Sequence, residues 1–313
     1  MKTMIEIAAA KRALRRAMGW HWGGTHTRNW HGLPQGILGI GFGVKRTEAK
    51  AAAQDCIRVY VKQKRPKSKL TTKQRIKERI DGYPTDVIAV GAIRPHLGPG
   101  DSIGNLQGIS GTLGCIVHDD SGSYLLGSWH VLTNTYGQDG DPIYMPSLSS
   151  NGGAPKVASL IATPHFHLNG GENAFDASVA RIEPGVVINP PIDGLGPIVL
   201  PCVPATQSAP VVKQGAASLR TTGVVEGISE DVPVYYNGDP TQKAILTGQI
   251  AIAGDGGQFS DEGDSGALVC TPDLHPMGLI AGGSSGTDVV PMPHTFVSPI
   301  QVILDCYQVS ITV

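Results

Sequence analysis

From Gly111 onward, short apolar runs recur at close spacing, and each is cut off by Gly, Pro, Asn, Asp or Ser before it reaches helical length. GTLGCIVHD, SYLLGSWHVL, DPIYMPSL, KVASLIATP and FDASVARI precede a Pro-rich stretch at 190–210; PVVKQGAAS, RTTGVVEGI, PVYYNG, AILTGQIAIAG, GALVCT, PMGLIAGG and HTFVSPIQVIL follow it. Runs this short, bounded by turn residues, read as strands, and regular short strands close into barrels or sandwiches. About six fall on each side of the Pro-rich connection, which predicts a mainly β protein of two barrels packed together. The 41 Gly and 23 Pro, set against 5 Phe, agree with many strands and many turns. No sequence repeat links the halves.

Upstream, the chain has a different character. Residues 1–80 carry 19 of the 25 Lys and Arg with four acids, whereas residues 81–313 carry 6 basic and 22 acidic residues. Such a split marks a domain boundary and an interaction surface, and it divides the chain into a module at 1–96 and a domain at 97–313. Met1 to Met18 reads as a short basic helix. Residues 36–94 read as a small α/β module: strand GILGIGFGVK, strand IRVYVKQ, a solvated loop KQKRPKSKL, a helix from TTKQRIKERI and strand PTDVIAVGAI. GILGIGFGVK lacks the Lys-Ser/Thr ending of a phosphate loop.

Three readings of the basic module stand side by side. It is a regulatory or partner-binding unit, part of which docks on the acidic domain; a polyanion or nucleic-acid surface with Trp20, Trp22 and Trp30 as stacking faces and Arg12, Arg15 and Arg16 as phosphate contacts; or a solvated charged face over its own small core.

Five scattered cysteines with no CxxC pair form neither a disulfide framework nor a zinc site. His21, His26 and His31, or His165 with His167, lack the acid or cysteine partners of a metal centre, so no metal and no cofactor is expected. The first residues lack the apolar core of a secretory signal, and no run reaches the ~18 apolar residues of a membrane span. The expectation is a cytoplasmic protein with no membrane partner.

The chemistry-bearing stretch is DEGDSGALVC, Asp261 to Cys270. Gly, Asp and Ser also make ordinary surface turns. A Gly-Asp-Ser-Gly string, however, arises by chance in only roughly one chain in 200 of this length. Two further residues join it. His130 ends the apolar strand SYLLGSWH, and Asp176 opens the strand FDASVARI. A lone His beside Trp is usually a satisfied core residue, and an Asp before a strand usually a turn residue. Taken together with Ser265, they supply the nucleophile, the base and the orienting acid of acyl transfer, in the order His, Asp, Ser.

On these residues, and on GTLGCIVHDDSGSYLLGSWHVLTN, LRTTGVVEGI, GLIAGGSSG and FVSPI, the chain resembles the trypsin-like, chymotrypsin-fold serine peptidases over about residues 105–308, of an intracellular bacterial type. The resemblance implies two six-stranded antiparallel barrels, at about 105–205 and 208–308, and a serine endopeptidase acting on a protein or peptide substrate. His130 would be base then acid, Asp176 its orienter and Ser265 the nucleophile. The N–H groups of Gly263 and Ser265 would form the oxyanion hole. By position, Phe259, six residues before Ser265, would floor the specificity pocket, and Ala281, Gly282 and Gly283 would wall it.

The chain departs from the family pattern in three places. No IVGG-like cleavage site precedes Gly111, so Asp264 needs a partner other than a new N-terminal amine. The cysteines that flank the catalytic His are replaced by Trp129 and Val131. Ala281 stands where many relatives carry a serine that bonds the triad acid, leaving Asp176 one donor short. The rival to an enzyme is a catalytically silent scaffold of the same fold, acting as an interaction or nucleic-acid-binding regulator.

Overall fold

Ile57, Val59 and Val61 recur at every second residue and turn one apolar face inward, while Arg58 and Tyr60 between them stay partly exposed. In the computed structural model these residues lie in a four-stranded sheet within the first of two compact units, Met1–Arg94 and Pro95–Val313. The structure describes residues 37–47, 50–61, 63–71, 75–80, 82–90, 96–149, 153–161, 166–236, 239, 241–284 and 293–313. The expected N-terminal helix, Trp20, Trp22, Trp30 and the three histidines at 21, 26 and 31 lie outside the described residues.

In the first unit, β1 (Ile37–Thr47) and β2 (Lys50–Val61) form an antiparallel hairpin. β3 (Arg79–Ile80) pairs antiparallel with β4 (Tyr83–Ala89), which runs parallel to β2. The helix expected from TTKQRIKERI is therefore corrected over its described part: residues 75–80 hold no helix, and Arg79–Ile80 are strand. Gly82, at φ +78°, makes the turn that returns the chain to Tyr83. Ile80 is thereby buried beside Ile37, Ile57, Val59 and Val61, and that pairing outweighs the helix propensity of a charged run.

The second unit contains β5 (His96–Leu97), β6 (Ser102–Gly104), β7 (Ser110–Thr112), β8 (Cys115–Asp119), β9 (Gly122–Gly127), β10 (Pro142–Tyr144), β11 (Lys156–Leu160), β12 (Glu172–Asn173), β13 (Ser178–Ile182) and β14 (Val187–Ile188). After the Pro-rich connection come β15 (Pro210–Gly215), β16 (Leu219–Tyr235), β17 (Lys243–Gly254), β18 (Leu268–Cys270), β19 (Pro276–Gly283), β20 (His294–Pro299) and β21 (Ser310–Ile311). The first sheet runs β21-β8-β9-β13-β11-β10-β6-β7. The second runs β12-β17-β16-β15-β18-β19-β20, and a further β17–β20 pairing closes six of its strands into an antiparallel barrel.

Strands buried on both faces explain the unbroken apolar runs. In CIV, Ile116 points into the core of the first sheet with Leu125, Val131 and Ile143, while Cys115 and Val117 point into the core between the two sheets. In LVC, Val269 fills the second barrel, and Leu268 and Cys270 meet Cys115 and Leu126 from the other side. Each such aliphatic side chain contributes roughly 1.5–3 kcal/mol of burial.

Three local expectations change. RTTGVVEGI and PVYYNG are one long strand, β16: bulges around Gly227 and Glu230, with Ser229 at φ +65°, absorb the turn-like residues between them. HTFVSPIQVIL stays strand only to Pro299 and then becomes a helix, Ile300–Tyr307, whose Ile300, Ile303 and Leu304 pack on one side. His130 does not end a strand. The chain leaves the sheet at Gly127 and forms the single-turn helix α1 (Trp129–Thr133), stopped by left-handed Asn134 at φ +46°. The buried Ser128 hydroxyl donates to the Ile280 carbonyl at 2.8 Å, which ties this exit to β19.

Candidate active site

α1 turns His130 toward the segment that leads into β13. There, Asp176 is fully buried and accepts from the His130 ring at Nδ1, 2.7 Å, through Oδ2, and from the His130 backbone N–H, 3.2 Å, through Oδ1. A carboxylate facing Nδ1 requires a proton on that nitrogen, which leaves the Nε2 lone pair as the basic face of the ring. The imidazole is 21% exposed, so a base with a fixed tautomer stands at the surface above a buried anion.

Asp176 is held from the second barrel as well. Its N–H donates to Ser298 Oγ at 3.1 Å, Ser298 Oγ donates to Gln249 Oε1 at 2.8 Å, and Gln249 Nε2 donates to the carbonyls of Ala174 and Thr247. The preceding residues are stitched to β17 by parallel pairing, Glu172 with Ile245 and Asn173 with Leu246. The Tyr236 hydroxyl donates to Asp176 Oδ2 at 3.0 Å. Burial, then the charge and hydrogen bond of Asp176, push the Tyr236 pKa far above its ordinary value, so the hydroxyl keeps its proton throughout the working range. The expectation that Asp176 lacks a donor is thus corrected. Ala281 offers none, and a tyrosine at the end of β16 takes the role. Trp129 and Phe166 stack at 3.9 Å with Tyr236 edge-on to both, an aromatic wall beside His130.

The Gly-Asp-Ser-Gly loop is built around Asp264. Its carboxylate accepts the N–H groups of Asp261, Ala217 and Ser218, the Ser218 hydroxyl, and the ammonium of Lys213 at 2.7 Å. Lys213, on β15, is 0% exposed; it also donates to Ser218 Oγ and to the Leu219 carbonyl. Burial disfavours its charge, and Asp264 offsets that in part. Burial likewise pushes Asp264 up, but the bonds from Lys213, Ser218 and Asp261, with the Lys213 charge, outweigh it and hold the carboxyl below the usual 3.8. The partner that Asp264 needs is therefore a lysine inside the domain.

The first sheet cradles this loop. Thr112 donates its N–H to the Ser265 carbonyl at 2.8 Å and its hydroxyl to the Gly263 carbonyl at 2.9 Å. Gly266, at φ +93°, lies so close that an added Cβ would meet the Thr112 carbonyl at 2.4 Å and the Ser128 nitrogen at 3.0 Å. Ser265 thus sits against the chain entering α1. Both obstacles are backbone atoms, so Gly266→Ala will destabilise the domain by at least about 2 kcal/mol, read as a melting temperature lower by roughly 4–8 °C. Gly263, at φ +100°, completes the turn. Among the described residues neither its N–H nor that of Ser265 is taken up by another protein group, and no hydrogen bond joins Ser265 to His130. Such bonds are often long until substrate is bound.

The residues expected to form the pocket are placed differently from one another. Phe259 is 0% exposed within the core of the second barrel, beside Val211, Val225 and Ile252, so it offers no open floor. Ala281 is buried; Gly282 borders open space; Gly283 lies near the Ser260 hydroxyl, which is joined to Thr295 Oγ1 at 2.6 Å. The polar, uncharged Ser260–Thr295 pair was not anticipated. His165 lies outside the described residues, and among those described no three His, Cys, Asp or Glu side chains cluster as a metal site. Nor is any helix among them long and apolar enough to cross a membrane.

The chain matches no family model and no curated protein in sequence. Its fold does match solved structures. Thermobifida fusca protease A superposes with a TM-score of 0.52 at 16% identity, covering 70% of this chain and 99% of its own. A glutamic acid specific serine protease gives 0.52 at 17%, covering 69% and 100%, and a Nocardiopsis protease gives 0.51 at 13%, covering 70% and 100%. The protein has the chymotrypsin-like fold of these serine proteases. His130 follows β9 and Asp176 precedes β13 of the first sheet, whereas Ser265 precedes β18 of the second. The residues missed from the sequence are Lys213, Tyr236, Ser298 and Gln249. Only Lys213 carried a signal, and a faint one, as one of 6 basic residues after position 80, directly after the apolar pair Val211-Val212.

Proposed function

We propose that the protein is a serine endopeptidase. The observation that carries this reading is the closed His130–Asp176 pair at 2.7 Å, with the chain that enters the helix of His130 lying directly against the Gly-Asp-Ser-Gly loop. Ser265 Oγ attacks the scissile carbonyl while His130 Nε2 takes its proton, and the imidazolium is stabilised by Asp176. The oxyanion of the tetrahedral intermediate is received by the N–H groups of Gly263 and Ser265. His130 then gives the proton to the leaving amine, the C–N bond breaks, and an acyl group remains on Ser265. Water, deprotonated by His130, attacks the ester and releases the acid and free Ser265.

The lysine partner of Asp264 supports a loop that is ordered without any cleavage of the chain. The uncharged Ser260–Thr295 pair beside Gly283 supports a preference for an uncharged side chain before the scissile bond. Incubation with a mixed peptide library, read by mass spectrometry, will give internal cleavages after uncharged residues. They will be absent with Ser265→Ala. Cleavage chiefly after Arg or Lys overturns the specificity, and a library left intact by the folded protein favours the silent scaffold.

A further inference from the structure

Resting on the peptidase reading, we propose that Tyr236 is a positioning residue of the reaction. Its hydroxyl, delivered across from the second barrel, holds Asp176 in the orientation that fixes His130. The tyrosine is 4% exposed and stands at the end of β16, where the β16–β17 hairpin continues past the barrel. That hairpin is bound along its length to the segment that carries the acid. Gly170 N–H donates to the Lys243 carbonyl at 2.7 Å, and Ile245 N–H donates to the Gly171 carbonyl at 2.9 Å. The pairing of β12 with β17 continues the seam, and Gln249 closes it on Ala174. Among the described residues, Tyr236 adds the one side-chain bond from the second barrel to the carboxylate itself.

Both Tyr236 and His130 Nδ1 address the same oxygen, Oδ2, while Oδ1 takes the His130 backbone N–H. A donor on Oδ2 restrains the torsion of the carboxyl group and draws negative charge away from the imidazole. Each effect changes the strength and direction of the Nδ1–H···Oδ2 bond. The titratable groups facing Asp176 are His130 from α1, Tyr236 from the hairpin, and Tyr307 from the C-terminal helix, whose hydroxyl is engaged by the Ala177 carbonyl at 2.9 Å. The aromatic wall keeps water from replacing the tyrosine: Phe166 and Trp129 meet its ring at 5.6 and 5.7 Å.

The test uses the full chain with Tyr236→Phe, which keeps the ring and removes the hydroxyl. The rate of phosphonylation of Ser265 by a fluorophosphonate, and kcat for a peptide ester, will fall roughly 10- to 100-fold, the loss expected for a hydrogen bond to a charged group. KM will stay within about twofold, because Tyr236 is buried and acts through Asp176. The downfield proton resonance of His130 Nδ1 will move. If the phenylalanine variant does not fold, 3-fluorotyrosine and 3,5-difluorotyrosine at position 236 serve instead, and the resonance will move progressively with hydroxyl acidity. A resonance and a rate unchanged in folded variants overturn the proposal while leaving the peptidase reading intact. A wild-type protein that never labels at Ser265 sinks the peptidase reading instead, and the Nδ1 resonance still decides on Tyr236.

Discussion

Lys213→Met will cost the domain about 3–5 kcal/mol, because it leaves the buried carboxylate of Asp264 without its cation. For a domain of this size that is a fall of roughly 10 °C in melting temperature. The same substitution will lower the reactivity of Ser265 in the protein that remains folded, since Asp264 anchors the loop that carries the nucleophile. Adding Asp264→Asn will return part of the loss, and the double-mutant cycle gives the coupling. The effect has a pH signature. Asp264 is held below the ordinary 3.8 in the folded protein, so its contribution is fully present above that value and is lost as pH falls through the lower folded value. The penalty of Lys213→Met will therefore be largest above about pH 4 and shrink in acid, where the carboxyl is neutral. A penalty that is independent of pH would separate Lys213 from the charge of Asp264.

Ser265→Ala will lower peptide turnover by on the order of 10⁶, and His130→Ala by a similar factor; combining them will add little, because the two act as one unit. Asp176→Asn will cost less, about 10⁴, through the wrong tautomer of His130. Steady-state rates on one peptide ester check the series. Additive losses would mean that the three residues do not work together. Melting temperatures will separate the variants further. Ser265→Ala disturbs little, whereas Asp176→Asn leaves the buried Tyr236 hydroxyl and the His130 ring facing a weaker acceptor.

Much of the second unit was legible because its strands bury both faces. Runs such as CIV and LVC have no polar side to hide and no length for a helix, so their strand character survives without tertiary context. His130, Asp176 and Ser265 were legible because the residue types are chemically uncommon in that combination. Elements that depend on a partner far along the chain were illegible. α1 exists because Ser128 is drawn to Ile280, and β3 exists because Ile80 is drawn into a core made by β1 and β2. β16 reads as two strands until bulges let β17 accompany it throughout. Tyr236 has no local signature at all. Nothing in PVYYNG tells that its second tyrosine meets an aspartate sixty residues away. Phe259 was misplaced for the opposite reason: counting back from Ser265 locates a backbone position, while its apolar ring turned into the barrel core.

The most direct test is labelling of the purified full chain with a fluorophosphonate, followed by mass-spectrometric location of the adduct and by the Ser265→Ala control. The account predicts a single adduct on Ser265, formed without added partner or proteolysis and abolished in the control. A folded protein that takes up no probe, or takes it up equally after Ser265→Ala, would contradict it.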